Sequence, residues 1–316
     1  MSKIILYWSN IPEKSGYETV DEWKESELKF SPLHDLVFKS HEKLGNDVEL
    51  WTHQKVSDFP YKGICVKDAS SIISHEDVFN GLSWGHSIAF VADAVRVKRA
   101  SEVLGIVLDM DSVCLRKFPE YDSWFSTMPA KKTSSMAPKW GPKKPPMTVH
   151  DGSWDGKALT AFPIKIGKTT HKEMSDLADG IVSRFRVKPR GGTDEWNSIL
   201  WTVKAIANKD TTAKVFEPLY MSPLPAWLGV GKCYSLESPS RLDGETIIFG
   251  HRLPSIDEIM EKSYIVAHFF ESAFQNADHI DDTSWLNIPD GCLLAREMDT
   301  LGYHRSVPQS LEDFFE

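Results

Sequence analysis

Cysteine is scarce in this chain. Four are present in 316 residues, at Cys65, Cys114, Cys233 and Cys292, and none pairs with another at metal-ligand spacing. A disulfide-stapled scaffold and a zinc ribbon are thereby excluded, and reduced thiols in a cytoplasmic protein are expected. The sequence has no Asn-x-Ser/Thr sequon and no apolar run long enough to span a bilayer. The opening stretch, Met1 to Trp8, has too short an apolar run for a secretory signal. An excess of positive charge is also lacking. The net charge of −9 argues against a general nucleic-acid binder, although it leaves room for a local basic surface. No Gly-x-Gly-x-x-Gly follows the first apolar run, which argues against a dinucleotide dehydrogenase. No internal repeat is evident.

What is present belongs to an ordinary globular protein, with 41% hydrophobic and 26% charged residues. The length suffices for an ample core, and 1–316 is read as a single domain. Residues 3–8 read as a first strand, 33–44 as a helix and 48–52 as a second strand. A strand–helix–strand start of this kind fits a Rossmann-like nucleotide-binding half. The eleven Trp are mostly expected in an aromatic core, with some available for stacking on a ligand.

The chain is organised around Ile106-Val107-Leu108-Asp109-Met110-Asp111. A short apolar run ends in two acids one residue apart. Read as a strand, it points both carboxylates to one face, because strand side chains alternate. Two hard oxygen donors converging at a strand end suit Mn²⁺ or Mg²⁺, with phosphate and water filling the remaining positions. A solvated strand end is the plainer alternative. Upstream, Ile88, Val91, Ala92, Val95 and Val103 recur at helical spacing, and Gly105 supplies a stop. On this helix Asp93 and Arg96 share a face that is not the apolar one. They form either a surface ion pair or a pair projecting into the cleft that receives the acids.

The segments Ala92-Asp93-Ala94-Val95-Arg96 and Leu104-Gly105-Ile106-Val107-Leu108-Asp109-Met110-Asp111 resemble the core of the DXD-type sugar transferases. These include the Golgi initiating mannosyltransferases, the capsular polysaccharide transferases and related glucosylating toxins. The family pattern is Ser-Asp-x-x-Arg, a helix, then Gly-Gly-x-Tyr-x-Asp-x-Asp. Here Ala92 stands for the serine, Leu104 for the first glycine and Val107 for the aromatic residue, as in a divergent member. The four charged positions are intact. The close match covers about two dozen residues.

The resemblance implies an α/β fold of GT-A type, a Rossmann-like core with a mixed sheet, carrying added helices. It implies a nucleotide-sugar donor, UDP-sugar before GDP-mannose, and transfer with retention. Asp111 would bind the metal directly, and Asp109 would help hold the metal or the donor ribose. Asp93 and Arg96 would hold the donor sugar. Tyr7 and Trp8, at the end of the first strand, become candidates for contact with the base, with core packing as the alternative. Ser263-Tyr264-Ile265-Val266-Ala267-His268-Phe269-Phe270 resembles the family's C-terminal Tyr-x-x-His, which makes His268 a third metal ligand; His251 is an outside candidate, and Trp285 is placed in the same aromatic closure.

Four further stretches complete the reading. The segment 126–150 holds five lysines, Lys131, Lys132, Lys139, Lys143 and Lys144, and four prolines from Pro138 to Pro146, and no acid stands between Asp122 and Asp151. It is a loop by composition, either a solvated surface loop or a lid or acceptor loop with Trp140 at its tip. A basic loop on an acidic protein suits a phosphorylated lipid, an acidic glycan or nucleic acid. Thr170 and Glu173 read as a capping box before a helix faced by Met174, Leu177, Ala178, Ile181 and Val182; Ser255 and Glu258 read as another. Gly191-Gly192-Thr193 precedes a further helix and permits an anion or acceptor site at its start. There Asp194 and Glu195 act as caps or as a catalytic carboxylate.

The expected function is metal-dependent glycosyl transfer to a glycan or lipid-linked acceptor, or to a modified base in DNA. Two alternatives from other classes stay open. One is a metal-dependent phosphohydrolase or nucleotidyltransferase using the same acids. The other is a non-catalytic nucleotide-binding relative.

Overall fold

Ile4, Ile5, Leu6 and Tyr7 are all buried, so the first strand is covered on both faces, as a central strand of a parallel sheet must be. The computed structural model describes residues 2–10, 16–129, 157–188, 212–224, 242–248, 251–268, 288 and 290–303. In its first third the chain runs through β1 (Ile4–Tyr7), α1 (Val20–Glu25), α2 (Pro32–Leu44), β2 (Val48–Thr52), β3 (Ile64–Asp68) and α3 (His75–Ser83). Next come α4 (Ile88–Val103), β4 (Ile106–Val107), β5 (Ser112–Cys114), β6 (Trp124–Pro129), β7 (Lys157–Lys165) and α5 (His171–Phe185). The remainder holds β8 (Lys214–Phe216), α6 (Pro218–Met221), β9 (Ile247–Ile248), β10 (His251–Arg252), α7 (Ile256–Lys262), β11 (Ile265–Ala267) and α8 (Leu293–Leu301).

Seven strands form one sheet in the order β3-β2-β1-β4-β7-β6-β8. All run parallel except β7, which is antiparallel to both β4 and β6. The fold is mixed α/β with a Rossmann-like core, as the sequence leads one to expect. Strand alternation divides the interior. Ile5, Tyr7 and Val107 face α4 and α5, where Phe90, Val91, Ala94, Val95, Met174, Ala178, Ile181 and Phe185 pack against them. Ile4, Leu6, Ile106 and Leu108 face the other side, with Phe38 of α2. A two-stranded antiparallel sheet joins β11 to β5, pairing Ala267 with Ser112. The C-terminal helix α8 lies on α2 through Leu294, Ala295 and Met298 against Leu33, Leu36 and Val37.

Several expectations are corrected locally. The acids Asp109 and Asp111 lie in a turn, because strand pairing of β4 stops at Val107. Their placement therefore comes from the turn and not from alternation along a strand. Helix α4 ends on Leu104, which takes the left-handed conformation at φ 55°, so Gly105 is not the stop. Gly105 is needed for another reason: a Cβ there would meet the Lys3 carbonyl oxygen at 2.8 Å. Thr170 caps α5 by position but makes no side-chain capping bond; Gly167 N–H donates to its Oγ1 at 3.1 Å instead. The Ser255–Glu258 capping box is present in full. Residues 126–129 belong to β6 and not to the basic loop, whose remaining residues 130–150 fall outside those described.

Candidate active site

The parallel strands β1, β2 and β4 deliver their carboxyl ends to one edge of the sheet. From β1 the chain order runs outward to β2 and β3 on one side and to β4 on the other. The β1/β4 boundary is thus a topological switch point, where open α/β sheets leave a crevice for ligands. Tyr7 and Trp8 end β1 at this boundary, and Leu108-Asp109-Met110-Asp111 leave β4 there.

Arg96 holds the crevice together. Its side chain is 5% exposed and reaches out from α4. Nη1 donates to the Leu108 carbonyl at 2.6 Å and to Asp109 Oδ1 at 2.5 Å. Nη2 donates to Asp93 Oδ1 at 2.8 Å, and Nε donates to the Ala92 carbonyl at 3.2 Å. The guanidinium also lies 4.6 Å from the centre of the Phe162 ring. The pair expected on this helix is therefore an interior one, ruling out a surface ion pair. Helical spacing puts Asp93 one turn before Arg96, and the fork of Arg96 then spans from helix to turn.

One guanidinium faces two carboxyl groups, those of Asp93 and Asp109, and Asp111 follows two residues on along the same turn. Burial pushes the Asp93 carboxyl up to about 7; Arg96 opposes that shift and Asp109 adds to it. Burial alone would lower Arg96, but Asp109 and Asp93 together hold it above its ordinary value. Asp109 keeps a side chain 41% exposed, whereas Asp111 is 8% exposed.

His268 follows β11 directly. Its backbone N–H donates to the Asp111 carbonyl at 3.0 Å, which sets it beside the acid turn. Its imidazole is fully buried, with Nε2 2.7 Å from Glu297 Oε2 on α8. Burial raises Glu297, and His268 opposes that shift.

Tyr7 has its ring in the core and its hydroxyl 2.9 Å from His53 Nδ1. Burial raises its phenol above the ordinary range. Trp8 is half-buried. Its Nε1 donates to the Lys29 carbonyl at 3.1 Å, and its ring lies 4.2 Å from that of His34. At the end of β1, then, Trp8 offers accessible ring surface and Tyr7 offers little. Trp140, Gly191, Gly192, Asp194, Glu195 and Trp285 lie outside the described residues, as does the side chain of His251.

Among the described residues, no three His, Cys, Asp or Glu side chains form a ready-made metal cage. Mg²⁺ and Mn²⁺ at phosphate sites do not require one, since one or two carboxylates with phosphate and water complete their shell. Asp109 and Asp111 supply hard oxygen donors two residues apart on one turn. The residues fit such a cation.

Two contributors were not foreseen from the sequence. Phe162 stacks on Arg96 from β7, and no local signal marks it. Glu297 is an acid at an apolar position of α8, between Leu293, Leu294 and Met298, and that mismatch is a readable signal.

No family model and no curated protein matches the sequence. Among solved structures, the chain is similar to the PaToxG glycosyltransferase, at 11% identity over 66% of this chain and 70% of that one, with a TM-score of 0.36. It is similar also to a transferase carrying two cysteine-to-serine substitutions, at 8% identity over 66% of this chain and 85% of that one, again with a TM-score of 0.36. The fold class itself follows from the strand order and directions given above. No described helix is long and apolar enough to cross a membrane.

Proposed function

We propose that this protein is a metal-dependent glycosyltransferase of GT-A type, moving a sugar from a nucleotide-sugar to an acceptor with retention. The observation that carries the reading is the bridge made by Arg96. It ties Asp93 of the helix to Asp109 of the turn at the β1/β4 switch point, so three of the four charged positions of the DXD-type motif are joined directly, and Asp111 lies two residues further along the same turn. A buried guanidinium with fixed carboxylates on both sides is a rigid frame for sugar hydroxyls. Asp93 and Arg96 orient the donor sugar, and Asp109 reaches the ribose or the metal. Asp111 and Asp109 hold Mn²⁺ or Mg²⁺, with His268 as the further ligand. The cation supplies charge neutralisation at the leaving diphosphate. Trp8 stacks on the base, with Tyr7 behind it. UDP is the favoured carrier, GDP the second choice. The acceptor is a glycan or glycolipid first, a modified base in DNA second.

Calorimetric titration with UDP tests the donor half of this reading. With Mn²⁺ present, UDP is expected to bind at least about tenfold more tightly than in EDTA, a difference of about 1.4 kcal/mol. Asp111→Asn removes the difference. Equal binding of UDP and GDP under all three conditions, or no binding at all, contradicts it.

A further inference from the structure

Arg96 is tied to two elements by hydrogen bonds and to a third by its charge alone. Ala92 and Asp93 belong to α4, and Leu108 and Asp109 to the turn after β4. The third element is β7, where Phe162 is 9% exposed and Arg96 Cζ lies over its ring, 4.6 Å from the centre. A cation over an aromatic face is held by the ring quadrupole, and more firmly when both are out of water. The sheet explains why Phe162 is there. Phe162 and Ile164, two apart on β7, enter the same core as α4. β7 pairs antiparallel with β4, Ile106 opposite Lys165 and Val107 opposite Ile164. Continued by two residues, that register sets Asp109 level with Phe162. The ring therefore stands where the fork of Arg96 crosses from helix to turn.

Asp93 is the residue this restraint reaches. It meets Arg96 through Oδ1 at 2.8 Å, its side chain keeps 15% exposure, and Oδ2 has no partner among the described residues. One oxygen is thus committed to the frame, and the other can accept from a ligand hydroxyl. How well it does so depends on the angle at which Arg96 holds the carboxyl group. We propose that Phe162 is a positioning residue for the donor sugar: its ring anchors the Arg96 guanidinium, and through it the Asp93 carboxyl group, at the angle the sugar hydroxyls require. The inference rests on the donor reading above and adds to it a residue, contributed by β7, that the acid motif does not contain. It does not involve the cation.

The probes are UDP, UDP-glucose, UDP-N-acetylglucosamine, GDP and GDP-mannose, each titrated calorimetrically into the full chain with Mn²⁺ present. The quantity read is the affinity for a sugar nucleotide divided by that for its nucleoside diphosphate. The wild-type chain is expected to bind one sugar nucleotide at least about tenfold more tightly than the diphosphate. Phe162→Leu is expected to cut that ratio by about five- to tenfold while the diphosphate binds as before. Phe162→Tyr keeps the ring and is expected to keep the ratio. A packing role alone would lower the melting temperature and leave the ratio untouched. Replacing the Phe162 ring by its trifluorinated analogue keeps the shape but strips the face of its negative charge, and should lower the ratio as Phe162→Leu does. It decides the matter if Phe162→Leu does not fold. A wild-type ratio in a folded variant that lacks the ring or its charge overturns the proposal and leaves the donor reading standing. A wild-type chain that binds a diphosphate but gains nothing from any sugar does the same. Failure of the wild-type chain to bind any of the probes overturns the proposal together with the reading beneath it.

Discussion

A guanidinium taken out of water stays charged only where its donors are met, and Arg96 is met on all sides by Asp93, Asp109 and the carbonyls of Ala92 and Leu108. Removing one partner of a buried ion pair strands the other. Arg96→Ala should therefore lower the unfolding free energy by about 3–5 kcal/mol. The exposed pair Lys172–Asp176 is worth under about 1 kcal/mol by comparison. Urea unfolding of Arg96→Ala beside Lys172→Ala checks this, and a loss below about 1 kcal/mol for Arg96→Ala would mean the cluster is solvated. At this scale the sequence was legible where charge and spacing coincide, as in Asp93, Arg96, Asp109 and Asp111. It was mute on Phe162, because a ring on β7, beside β4 in the sheet but far along the chain, leaves no local trace. Gly105 was noticed but for the wrong property: it is needed for a close approach to Lys3, not for its freedom of backbone.

Elements with their own end signals were legible to within a residue or so. Ser31 and Pro32 open α2 and Gly45 closes it at φ 61°. The acid segment was misread as strand because β5 finds its partner in β11, about 150 residues on, and that pairing ends the β4 strand early. The packing of α3 on α5 was also hidden. Gly81 of α3 lies so close to the Phe185 ring that an added Cβ would overlap it. On helix propensity alone Gly81→Ala would stabilise by about 1 kcal/mol. Phe185 is 2% exposed and has no room to retreat, so overpacking of about 1–3 kcal/mol should prevail. The expected result is a lower melting temperature. A higher one would show that α3 shifts freely over α5.

Across the whole molecule, the buried histidines set the response to acid. Burial lowers His34 and His41 to about 3 and His53 to about 4. Their unfolded value is 6.5, so below that pH the unfolded chain takes up protons that the folded chain refuses. Stability contributed by the neutral rings is complete above about pH 6.5 and is lost progressively as pH falls towards 4 and then 3. Asp93, raised to about 7, and Glu297, also raised, act with the opposite sign. Three neutral rings outweigh the two carboxyl groups, so stability falls as pH drops from about 6 to 5. Urea midpoints at pH 7.5, 6.0 and 5.0 should fall in that order, and a midpoint flat between pH 7 and 5 would contradict the burial of these rings. The architecture at this scale was foreseen, since a strand–helix–strand opening and an apolar run into two acids already specify a parallel core. How β11 pairs with β5 and sets His268 beside the acid turn was not, because the pairing joins segments about 150 residues apart.

We propose that Asp111 and its neighbours use a metal to release sugar from a nucleotide-sugar. A panel of UDP- and GDP-sugars incubated with Mn²⁺, with EDTA, and with the Asp111→Ala chain tests it most directly. The account predicts slow release of free sugar and nucleoside diphosphate from one donor, dependent on both the metal and Asp111. Release of phosphate or diphosphate instead would point to a phosphohydrolase or nucleotidyltransferase. The absence of turnover and of any metal-dependent stabilisation by these donors would reduce the acids to an ordinary turn at the end of a strand.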